Sequence, residues 1–190
     1  MIIDKSNVPA LEAGDIGGVK GRGPLGFAAR SLFTPYTDRY HHFLVWWKTA
    51  DGDYVILESI NKGLAVGRLS MYDGSDVKFY RATNLDARTR ERACEELTEY
   101  GRSRYDWLLY VRLAAFIIGT EAKLFKAERR LRKIRADELT YQEDGWLICT
   151  EAIVTAYRLV GWSLVPEGVV PLPCAIEQAR LDGIIKEVLS

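Results

Sequence analysis

Cysteine is scarce in this chain. Cys94, Cys149 and Cys174 are the only three in 190 residues, and no two form a Cys-x-x-Cys pair. This excludes a zinc knuckle and a disulfide framework, and fits a reducing compartment or a use for one free thiol. Histidine is scarcer still: His41 and His42 stand side by side, with no other. A surplus of one charge is also missing. Lys+Arg number 26 and Asp+Glu 26, for a formal net charge of 0 and a pI near 6.7. A dedicated duplex-DNA binder normally carries a basic excess, so no nucleic-acid partner is expected. The longest apolar run, Trp107 to Ile118, is only twelve residues and is broken by Arg112. Twelve helical residues span about 18 Å against a bilayer core of about 30 Å, so the run reads as a buried helix and no transmembrane segment is expected. Met1-Ile2-Ile3-Asp4-Lys5-Ser6 lacks a basic region leading into an apolar core, so no signal peptide is expected. There is no internal repeat, no low-complexity tract and no metal-ligand spacing; no metal and no cofactor are expected.

What is present is an ordinary globular composition, 48% hydrophobic and 27% charged. The length suits one domain of usual size, about 150 residues, with one insertion; the expectation is a single domain over residues 1–190. The first half reads as strands. Gly14-Asp15-Ile16 opens a short one, and the glycine-rich stretch Gly17 to Gly26 reads as a flexible loop. It lacks the Gly-Lys-Ser/Thr ending of a phosphate loop. Phe27 to Phe33 reads as a short helix. Phe43-Leu44-Val45-Trp46-Trp47 suits a strand covered on both faces. Across the Asp51-Gly52-Asp53 turn it forms a hairpin with Tyr54-Val55-Ile56-Leu57. Leu64–Val66 and Val77–Tyr80 read as two further strands.

The second half reads as helices: Thr89 to Tyr100, Trp107 to Ile118, Glu121 to Arg135, Cys149 to Val160 ended by Gly161, and Ala175 to Leu189. Glu121 to Arg135 carries seven basic and two acidic residues behind an apolar stripe of Leu124, Ala127, Leu131 and Ile134. Its plain reading is a helix with a solvated charged face. Peripheral contact with an anionic membrane surface, or service as a lid over a cleft, stays open. Strands first and helices second indicate α+β, an antiparallel sheet packed on helices.

Three groups are candidates for chemistry. Cys149 follows an apolar lead-in and opens an amphipathic helix, where unsatisfied N–H groups and the helix dipole favour a thiolate. The plainer reading is a small core residue. Cys94 and Cys174 have structural contexts. Adjacent side chains on a strand face opposite ways, so only one of His41 and His42 points at any one site. Either a half-buried strand residue or a general base fits there. Glu58 ends the Tyr54–Leu57 strand, across the hairpin from the histidines. It reads as a solvated terminus or as the carboxylate that orients an imidazole.

The order Gly14-Asp15-Ile16, Tyr40-His41-His42-Phe43-Leu44-Val45, Val55-Ile56-Leu57-Glu58-Ser59, Tyr105-Asp106 and Ile148-Cys149-Thr150-Glu151-Ala152-Ile153-Val154 resembles a known family. It is similar to the circularly permuted branch of the NlpC-type papain-like cysteine hydrolases, which holds YiiX-like amidases and relatives of lecithin retinol acyltransferase. The resemblance runs from about Gly14 to Pro173. It implies a permuted papain-like fold, an antiparallel sheet or barrel against helices, with a basic helical insertion over about 119–144. It implies Cys149 as nucleophile, His42 as base, with His41 in the place of the family's serine, and Glu58 as third member. Tyr105 would lie at the oxyanion site, with His41 beside the substrate. Thr150 stands where the family has serine, and Ser59 where alanine is common. The implied activity is amide hydrolysis, on a peptide, peptidoglycan or acyl-amide substrate, through a thioacyl-enzyme. An acyltransferase or thioesterase using the same thiol, or a non-catalytic module keeping the fold, are the alternatives. A cytoplasmic or phage- or virion-associated setting is the implied location.

Overall fold

The computed structural model describes residues 1–4, 7–20, 37–60, 63–100 and 148–188. The helices read at 27–33, 107–118 and 121–135, the insertion at 119–144, and Tyr105 with Asp106 lie outside the described residues.

Six strands form one antiparallel sheet: β1 (Ile16–Val19), β2 (His41–Lys48), β3 (Tyr54–Ile60), β4 (Gly63–Arg68), β5 (Val77–Ala82) and β6 (Ile185–Glu187). Their spatial order is β4-β3-β2-β1-β5-β6. Three described helices accompany them: α1 (Ala87–Tyr100), α2 (Cys149–Leu159) and α3 (Pro173–Leu181). The protein is thus α+β, with the antiparallel sheet packed on helices.

Both faces of the sheet are covered, which is why β2 is apolar without alternation. Ile16, Leu44, Leu57 and Tyr80 pack with Ala93 and Leu97 of α1, Ile153 and Tyr157 of α2, and Ile176 of α3. On the other face Val19, Phe43, Val45, Ile56 and Phe79 pack under Ile3, Leu11 and Leu69. Polar ties lock the helices on. The Tyr157 hydroxyl donates to the Gly14 carbonyl, and the Cys94 thiol to Val45 O at 3.4 Å.

Two expectations are corrected. Gly17 and Gly18 belong to β1 and not to a loop. The Phe43 ring fills the place of a side chain at Gly17, since a Cβ there would lie 2.1 Å from Phe43 Cζ. The last helix does not run to Leu189. Gly183 takes φ +73 just past α3, and its N–H and that of Ile184 cap Arg180 O and Ala179 O, after which the chain turns into β6. The same device ends α2, where Gly161 takes φ +78 as its sequence position indicated.

Asp15 explains the Gly-Asp-Ile stretch structurally. Its fully buried carboxylate accepts Arg81 Nε and Nη2, each at 2.7 Å, and the Glu12 N–H at 2.8 Å. Asp15→Ala strips a buried bidentate partner from Arg81. It is expected to cost about 3 kcal/mol of stability, read as a lowered urea midpoint at unchanged slope. An unshifted midpoint would show that Glu12 alone satisfies Arg81.

Candidate active site

The site forms where α2 begins beside the start of β2. Ile148 is extended at φ −79 and ψ 165, and Cys149 is the first helical residue. Glu151, three positions on, accepts the Ile148 N–H at 3.2 Å and pins this first turn. Cys149 is 1% exposed, with Sγ 3.8 Å from Tyr40 O and 3.9 Å from Thr150 Oγ1.

Register decides which histidine meets the carboxylate. Phe43 of β2 pairs with Glu58 of β3, so their side chains leave the sheet on one face. His41, two residues before Phe43, shares that face. His41 Nε2 therefore donates to Glu58 Oε2 at 2.7 Å. His42 faces the other way, toward α2, and makes no such contact; Leu44, two residues on, lies in the helix-side core. The expected pairing of Glu58 with His42 is thus corrected: the pairing belongs to His41. Glu58 is also no solvated terminus. It sits inside β3, which continues to Ile60, and it is buried.

The same hydroxyl-rich corner contains a residue the motif reading missed. Tyr72 donates its hydroxyl to the same Glu58 Oε2, at 2.5 Å. Its ring stacks on His41, centroids 5.9 Å apart, and on Phe43 at 5.2 Å. An aromatic just before the Asp73-Gly74 turn is its only local signal, and that assigns no chemistry. Gly67 leaves room for the carboxylate, because a Cβ there would stand 2.9 Å from Glu58 Oε1.

His41 and His42 leave β2 on opposite faces, and both favour the charged form of the Cys149 thiol. Burial opposes a thiolate, but hydrogen bonds from His41 and His42 outweigh it and hold the Cys149 pKa well below the usual thiol value. Burial likewise opposes a charged His41, yet the bonds to Cys149 and Glu58 push its pKa up to about 10. Both shifts favour the charged forms, thiolate for Cys149 and imidazolium for His41. Glu58 takes Nε2 of His41. His42 is 1% exposed, and its Nδ1 has no hydrogen-bond partner among the described residues. Cys94 and Cys174 behave oppositely: burial pushes both thiols up to about 12.

Among the described residues no group of three His, Cys, Asp or Glu side chains could hold a metal ion. No described helix is long and apolar enough to cross a membrane.

The described residues thus define an α+β protein whose antiparallel sheet carries a histidine–carboxylate pair near a buried cysteine at a helix start. The fold is similar to that of YiiX from Escherichia coli O157:H7, described as a metalloprotein, DUF1105, with a TM-score of 0.61 and 13% identity over 94% of this chain and 97% of that one. No family model matches the sequence, and no curated protein does.

Proposed function

We propose that this protein is a cysteine hydrolase of the permuted papain-like, NlpC type, cleaving amide bonds in peptide or peptidoglycan-like substrates. One arrangement supports the reading: a His41 imidazole held by Glu58 through Nε2 at 2.7 Å, together with a cysteine at the first turn of a helix whose thiolate form both histidines favour. Nucleophile, base and orienting carboxylate are the three roles such chemistry needs.

The Cys149 sulfur attacks the carbonyl carbon, and the C=O electron pair moves to oxygen. The Cys149 N–H, free of intrahelical bonding at this helix position, faces that oxyanion. The resemblance adds Tyr105 as a second donor. The imidazolium of His41 gives its Nδ1 proton to the leaving amine as the C–N bond breaks, leaving a thioester. Neutral His41 then takes a proton from water, whose oxygen attacks the thioester. The carboxylic acid departs and the thiolate–imidazolium pair is restored. Glu58 stays ionised throughout and holds the ring. The role given to His42 by the motif match passes here to His41, and His42 is a second donor to the sulfur.

Alkylation by iodoacetamide tests the reading. At pH 7 Cys149 is expected to react more than about 100-fold faster than Cys94 or Cys174, measured by peptide mass spectrometry. The rate falls only below the lowered Cys149 pKa, where the sulfur regains its proton. Above about pH 10 His41 loses its proton. Alkylation then stays fast while amide hydrolysis declines, because the leaving amine has lost its acid. Equal, slow labelling of all three thiols would overturn the proposal.

A further inference from the structure

We propose that Tyr72 is a positioning residue of this site, acting on the nucleophile through Glu58 and His41, an inference that rests on the thiolate reading above. The argument is geometric. Glu58 Oε2 accepts two donors at once, His41 Nε2 at 2.7 Å and the Tyr72 hydroxyl at 2.5 Å. One oxygen held by two donors cannot swing away from the imidazole without breaking both bonds. The tyrosine ring is also stacked on both His41 and Phe43.

Tyr72 is itself held from a distance. It ends a 3-10 turn, Leu69–Tyr72, that follows β4. Leu69 is buried in the sheet-face core. The Ser70 hydroxyl donates to Asp53 Oδ2 at 2.6 Å, and the Ser70 N–H to Asp53 Oδ1 at 3.2 Å, so the turn is clamped to the start of β3. A chain of contacts thus runs from Asp53 through Ser70 and Tyr72 to Glu58 and His41.

Loss of the Tyr72 hydroxyl removes one of the two donors that keep a buried carboxylate ionised. Burial pushes the Glu58 pKa up, and the His41 and Tyr72 bonds bring it below the usual value. A less firmly ionised, more mobile Glu58 holds the imidazolium less well. The thiolate then loses its counter-charge, and its titration moves upward.

The test is the pH profile of iodoacetamide alkylation at Cys149. Tyr72→Phe keeps the stacked ring and removes only the hydroxyl. It is expected to raise the midpoint by about one pH unit, and so to slow alkylation about tenfold on the rising limb. Glu58→Gln raises it further, and adding Tyr72→Phe to Glu58→Gln changes nothing more, because the tyrosine acts through the carboxylate. Ser70→Ala, which loosens the turn without touching the site, shifts the midpoint in the same direction by less. A tyrosine that merely packs would leave the midpoint unmoved. An activated wild-type thiol with an unchanged midpoint in Tyr72→Phe overturns this proposal and leaves the hydrolase reading intact. Additive shifts in the double variant overturn it too. An unactivated wild-type thiol overturns both.

Discussion

Cys149→Ala is expected to abolish acyl transfer from p-nitrophenyl acetate and from fluorogenic peptide amides, a loss of about 10³-fold or more, with His41→Ala close to it. His42→Gln costs far less. The asymmetry follows from the site. Only His41 is bound by a carboxylate, through Nε2 at 2.7 Å, and only an oriented imidazole can carry protons between sulfur, leaving group and water. In the proposed mechanism His42 favours the thiolate without carrying a proton. Members of such a unit are not additive, so His41→Ala in the Cys149→Ala background shows no further loss. Circular dichroism of each variant separates lost chemistry from lost fold. Equal losses in the His41 and His42 variants would refute the assignment and return the base role to either ring.

Gly17→Ala destabilises the fold by about 3 kcal/mol, at the upper end of what one inserted methyl costs in a packed interior. The new Cβ would stand 2.1 Å from Phe43 Cζ and 2.2 Å from Cε2. Phe43 cannot retreat freely, being fully buried, stacked on Tyr72 and edge-on to Phe79 at 6.3 Å. Its displacement pushes Tyr72 and with it Glu58, so the variant also loses fast alkylation of Cys149. Gly18→Ala is the control on the next residue. There the nearest atoms, His42 Nε2 at 3.3 Å and Arg39 Cβ at 3.4 Å, need give only a few tenths of an ångström. Urea denaturation of the two variants measures the difference. Equal stability of both would mean that the Phe43 ring does not need the space above Gly17.

The strands and helices that position the site were largely readable, because each announces itself locally. The apolar run of β2 and the Asp51-Gly52-Asp53 turn mark the β2–β3 hairpin. The switch from apolar lead-in to amphipathic pattern marks the start of α2 at Cys149, and Gly161 marks its end. Where the local signal was ambiguous the reading erred. Glycines 17 and 18 look like loop in one dimension and are strand in three, paired with β2, whose Phe43 ring occupies the side-chain space at Gly17. The C-terminal segment carries a helical pattern, yet the left-handed Gly183 diverts it to pair with β5.

From the order of residues alone came the elements, their class and the short list Cys149, His41, His42 and Glu58, since periodicity and residue chemistry are properties of the chain. Only the tertiary structure showed which histidine meets Glu58 and placed Tyr72 on the same oxygen. Facing partners across a hairpin depend on register, and a one-residue slip exchanges the two faces of a strand. Phe43 opposite Glu58 puts His41 on the carboxylate, and a turn clamped by Asp53 brings Tyr72 to the same oxygen.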